Sequence, residues 1–129
     1  MNKYTITSVF GIIGVLSWSL TILLREVTLS GNDTIKFILG IMPNISACWL
    51  FICVGEVIVN KMNNNFTFKV ASIISGVIFL LAIISELIHD IFLNSPFDMN
   101  DIIATILAIT LYLISFYITK YKVKINEQS

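Results

Sequence analysis

The chain has 129 residues, of which 57% are hydrophobic and 12% charged. An ordinary soluble domain is about 45–50% apolar and about 25% charged, and a fold this small keeps too much surface to hide the excess. With a formal net charge of zero, this excludes a soluble enzyme, a disordered chain and a nucleic-acid binder, which needs a basic face, and leaves a small integral membrane protein.

Four stretches reach the roughly 20 apolar residues that a bilayer crossing needs. They are residues 5–24, 35–59, 70–93 and 102–119. Backbone groups in lipid must be satisfied within each segment, so these are helices. The fold expected is all-α: a single domain over residues 1–129, built as an integral membrane bundle of four transmembrane helices. The first stretch is read as a retained helix. Its apolar run is long, is broken by Gly11, Gly14 and Ser17, and no Ala-x-Ala cleavage site follows. In the second stretch Pro43 removes a helical hydrogen bond and should kink the helix. Asn44, beside it, is placed either to re-satisfy a freed carbonyl or to offer its amide to a cavity. Cys48 and Cys53 are five residues apart and share no helix face, so they read as two apolar thiols. Glu56 falls about 31 Å along from Ile35 at the helical rise, at the inner boundary. It is expected to face water or Lys61 and is assigned no function.

Positions alternately four and three apart share a helix face. Such rows run through Thr7, Gly11, Gly14, Trp18, Thr21 and Arg25 in the first helix. In the third they run through Ser72, Gly76, Phe79, Ile83, Glu86 and Asp90, and in the fourth through Asp101, Thr105, Ala108, Tyr112, Ser115 and Thr119. Small and polar residues mark helix contacts in lipid, so these three rows are expected to face one another. A weaker row in the second helix passes Gly40, Asn44 and Ala47.

Orientation follows from the cations. Four spans put both termini and the middle connector on one side, with Lys3, Lys61, Lys69, Lys120, Lys122 and Lys124. The other side holds only Arg25 and Lys36. The positive-inside rule then places both termini in the cytoplasm. Glu26, Asp33, Glu86, Asp90, Asp98 and Asp101 gather toward the outer side. The basic run 120–124 reads as an anchor on anionic lipid, at about 1 kcal/mol per charge.

Glu86 stands out. It lies roughly 24 Å along its helix from Val70, shallowly buried beneath the outer surface, and an intramembrane carboxylate is a functional candidate by default. His89 and Asp90, three and four residues on, reach the same patch. Asp98 and Asp101 follow in the connector to the fourth helix. Two readings stay open. The patch could bind or act on a ligand, or Glu86, His89 and Asp90 could be the solvated end of a helix. Asp98 would then be an N-cap, with Asp101 in the first turn. Glu-x-x-His resembles half of a di-metal bundle motif. With one such motif and one histidine, no metal and no cofactor are expected. Carboxylate–imidazole acid–base chemistry is also open, while no nucleophile elbow, phosphate loop or zinc motif is present. Whether the chain is an enzyme is therefore left open.

The run Glu86-Leu87-Ile88-His89, then Phe97-Asp98-Met99-Asn100-Asp101-Ile102-Ile103-Ala104-Thr105, resembles the signature of the VanZ-like family. That signature is Glu-x-x-Gln ending a helix, a short outer loop with an Arg, Asp-x-x-Asp, and Asn-Thr-x-Gly opening the next helix. Glu86, Asp98 and Asp101 match. His89 stands for the glutamine, residues 94–97 carry no arginine, and Thr105 and Ala108 stand for the Asn and Gly. Pro43 is loosely similar to the family's Phe-x-Pro region. The resemblance spans about half of the chain. It implies a multi-pass protein of the bacterial plasma membrane, linked to glycopeptide resistance. It further implies an outer acidic loop acting on a membrane lipid or lipid-linked envelope ligand. The site expected is Glu86, His89, Asp98, Asp101 and Asn44, with Pro43 as a structural kink. Two other classes remain: a small transporter using a buried carboxylate, and an immunity or phage-defence membrane protein without catalysis. Homo-oligomerisation is also left open; nucleic acid is not a partner.

Overall fold

The computed structural model describes residues 4–27 and 32–129. Lys3 of the cation count and residues 28–31 of the first connector lie outside the described residues. The chain forms α1 (Ile6–Val27), α2 (Asp33–Lys61), α3 (Phe68–Phe92) and α4 (Met99–Gln128), with no strand among the described residues. Each helix is long and apolar enough to cross a membrane.

Local chemistry sets where the helices begin. Thr5 Oγ1 accepts from the Ser8 N–H at 3.1 Å, and its carbonyl accepts from Val9, which starts α1. Asn32 caps α2 through the Thr34 N–H, and Thr67 caps α3 through the Val70 N–H. These side chains satisfy N–H groups that have no partner inside the helix. Asn63 (φ 56°) and Asn94 (φ 49°) turn the chain after α2 and α3. Asparagine is among the few residues that visit this left-handed region readily. The Ser95 N–H reaches back to the His89 carbonyl at 3.2 Å, and Pro96 follows, as is common past a helix end. The first three helices end within three residues of the expected spans. The fourth runs nine residues beyond Thr119, to Gln128. The lysines and Glu127 in that stretch are good helix formers, and leaving an apolar run does not by itself stop a helix.

α1 and α2 pack antiparallel along their whole length. Gly11 and Gly14 make this possible. A Cβ at Gly11 would meet Cys53 Cβ and Sγ at 2.6 Å, and one at Gly14 would meet the Ser46 carbonyl at 2.9 Å. α4 lies against both, and α3 against α2 and α4. The core gathers Cys48, Ile52, Ala71, Ala108, Tyr112 and Phe116. Phe10 meets Trp49 and Tyr112 edge-on, at 5.1 and 5.5 Å between ring centroids. Trp49 Nε1 donates to the Ala108 carbonyl at 3.0 Å. The outer surface is the reverse of a soluble protein's: Leu16, Leu23, Phe51, Leu80 and Ile91 are each more than half exposed. Apolar surface this extensive is compatible with a multi-pass membrane protein.

The expected rows meet two corrections. Thr7, Gly11, Gly14 and Thr21 are buried as expected, but Trp18 of the same row is half exposed, because a stripe on which backbones touch has no room for an indole. α1 and α3 do not touch among the described residues. α3 therefore turns Ala71 and Ser75 inward instead of Ser72 and Gly76, and nothing lies within 4 Å of a Cβ built on Gly76. Thr105, Ala108 and Tyr112 of the fourth row are buried.

Candidate functional site

One end of the bundle collects the polar groups of α2, α3 and α4. Glu86 sits in the last part of α3 with its side chain 12% exposed. Its Oε2 accepts from the Asp98 backbone N–H at 3.3 Å. Asp98 Oδ1 in turn accepts from the Asn100 N–H at 2.9 Å and caps α4. Asp101 follows in the first turn, where Thr105 Oγ1 donates to its carbonyl at 2.9 Å. The Asn44 side chain, from α2, is turned to the Asp101 carboxyl, and the charges of Asp98, Glu86 and His89 all act on it. Three carboxylates thus surround the N-terminus of α4, whose dipole favours negative charge. His89 is more loosely held. Its Nδ1 lies 4.0 Å from Glu86 Oε1, beyond hydrogen-bond reach, with the side chain 49% exposed. Asp90, one turn beyond Glu86, is exposed. Asp98 is therefore an N-cap and also lies within the acidic group around Asp101. Among the described residues, no three His, Cys, Asp or Glu side chains come together to hold a metal ion.

Pro43 leaves the Leu39 carbonyl, four residues back, without its helical donor. Arg25 of α1 supplies one: Nη2 donates to that carbonyl at 2.7 Å. Of the two roles open to Asn44, it takes the second. It faces Asp101 and lines a cavity of about 590 Å³ between α2 and α3. Apolar side chains such as Phe51, Ile78 and Leu81 form most of the wall, and Asn44, Ser85 and Thr105 supply polar atoms.

The opposite end holds a group that the sequence reading missed. Glu56 is not turned to water or Lys61. It is 5% exposed, and Thr5 Oγ1 donates to its Oε2 at 2.7 Å. Thr5 caps α1, so the carboxylate stands at the positive end of that helix. Nearby, Thr7 Oγ1 and the buried Tyr112 hydroxyl are hydrogen-bonded at 2.8 Å. Both pairs tie the start of α1 to the bundle. The signal was present in sequence as the four-residue spacing Cys48, Ile52, Glu56, which places Glu56 on the buried face of α2.

No protein-family model, curated protein or solved structure matches this chain. The site is therefore read from its own geometry.

Proposed function

We propose that this chain is a VanZ-like protein of the bacterial plasma membrane with both termini in the cytoplasm. Its outer-face patch of Glu86, His89, Asp98, Asp101 and Asn44 binds an envelope or lipid-linked ligand, in the setting of glycopeptide-type resistance. One observation carries the reading. Side chains from three helices converge at the bundle end that the lysine distribution assigns to the outside. The patch offers carboxylate acceptors and a half-exposed imidazole without an activated nucleophile, so the role assigned is binding rather than turnover. Glu86→Gln, Asp98→Asn and Asp101→Asn test it, because each keeps the shape and removes the charge. Asparagine caps a helix about as well as aspartate, so Asp98→Asn leaves α4 folded. In the native host, susceptibility to glycopeptides and lipopeptides should shift toward that of the deletion strain. Susceptibility unchanged by deletion and by overexpression would overturn the proposal.

A further inference from the structure

The geometry points to the α2–α3 cleft as a binding groove for a single-chain amphiphile with a cationic amine head, lying under the acidic patch. This rests on the outer-face reading and names the ligand class it would take. The cleft volume of about 590 Å³ falls within the roughly 300–1,000 Å³ of small-molecule sites. Along α2 its lining runs from Asn44 to Ile58, about 21 Å at the helical rise. That is some two thirds of a hydrocarbon core about 30 Å thick, a length suited to one extended alkyl chain. Its wall there is Phe51, Val54, Ile74, Ile78 and Leu81, with no charged side chain.

The polar atoms are not scattered. Asn44, Ser85 and Thr105 lie toward the end where the patch stands. Asn44 faces the Asp101 carboxyl, Thr105 bonds its carbonyl, and Ser85 precedes Glu86. An alkyl chain in the cleft therefore ends its polar head at Asn44, Ser85 and Thr105, of which Asn44 and Thr105 join the cleft to Asp101 of the acidic patch. That patch is rich in acceptors. Among the described residues, the cation-forming groups toward this end are His89, 4.0 Å from Glu86 and half exposed, Arg25, engaged with the Leu39 carbonyl, and Lys36, exposed in the first turn of α2, against the carboxylates Glu86, Asp98 and Asp101 of the patch. A primary ammonium brings three donors and no acceptor, and it complements both the charge and the hydrogen-bonding deficit. An anionic head meets like charge.

The test uses the full chain in phosphatidylcholine nanodiscs and a hexadecylamine carrying a photoactivatable diazirine in mid-chain. Labelling should map to α2 and α3 peptides around Phe51 and Ile78. Unlabelled hexadecylamine should compete at least about tenfold better than hexadecyl sulfate, which has the same chain, or than butylamine, which has the head alone. Ala82→Trp, which fills the cleft, should abolish the labelling. The paired variant Glu86→Gln/Asp101→Asn should reduce it about tenfold without moving the labelled position. Equal competition by the sulfate, or labelling spread over lipid-facing residues such as Leu16 and Leu23, would overturn the groove and identify its content as bulk lipid. If Ala82→Trp leaves the labelling unchanged while the carboxylate variants still shift susceptibility, the groove proposal falls and the outer-face reading stands. If labelling behaves as expected while susceptibility ignores the carboxylates, the outer-face reading falls instead.

Discussion

Glu56 shows what makes a buried charge tolerable here. Its carboxylate has left water almost completely, and its neighbours compensate: one hydroxyl donor and the N-terminus of α1. The hydrogen bond and the dipole each contribute on the order of 1 kcal/mol. Glu56→Gln keeps the acceptor and the volume and gives up the charge, so its loss of stability should stay under about 1 kcal/mol. Glu56→Ala also leaves a void, and should cost about 2 kcal/mol or more. Thermal unfolding of the detergent-solubilised protein measures both. Equal losses for the two variants would show that the packing and hydrogen bond of Glu56 matter less than its charge.

Within the helices the most instructive feature is how α2 tolerates proline. A freed carbonyl in lipid is expensive, and the donor comes from another helix through Arg25. The two residues should therefore be coupled. Arg25→Met alone leaves the Leu39 carbonyl without the guanidinium and should destabilise by about 1 kcal/mol. In a Pro43→Ala background the N–H of position 43 returns to that carbonyl, and Arg25→Met should then cost little. A double-mutant cycle on unfolding reads the coupling; strictly additive effects would mean that the guanidinium does nothing for the carbonyl that Pro43 frees. α1 and α2 are thus pinned at both ends, by Thr5–Glu56 and Arg25–Leu39, with the two glycines closing the middle.

Taken whole, the molecule has two unlike ends. Thr5 and Glu56 at one end lie on the side of Phe66, whose carbonyl accepts from Lys120 at 3.5 Å; Arg25, Asn44, Glu86, Asp98 and Asp101 mark the other. The zero net charge hides this asymmetry. If the lysine-rich end is cytoplasmic, a reporter active only in the cytoplasm and fused after Ser129 should be active, and the same reporter placed in residues 94–97 should be silent. The opposite pattern would invert the molecule and move the acidic patch to the inner face.

The four helices, their order and the Asp98 cap of α4 were legible in sequence, because apolar length and Asp before a helix are local signals. The buried stripes of α1 and α4 were legible too, since small and polar residues there repeat at helical spacing. So was the grouping of Glu86, Asp98 and Asp101, which a short connector brings close whatever the bundle does. Other features depend on which helix lies beside which. That α3 misses α1, and so turns Ala71 and Ser75 inward, is a matter of neighbours. The donor that Arg25 gives to Leu39 joins residues whose partnership no spacing rule reveals. Glu56 stands near the end of an apolar run, and its burial depends on the start of α1 packing over it through Thr5. The cleft lies between α2 and α3, and no single segment encodes a space between two others.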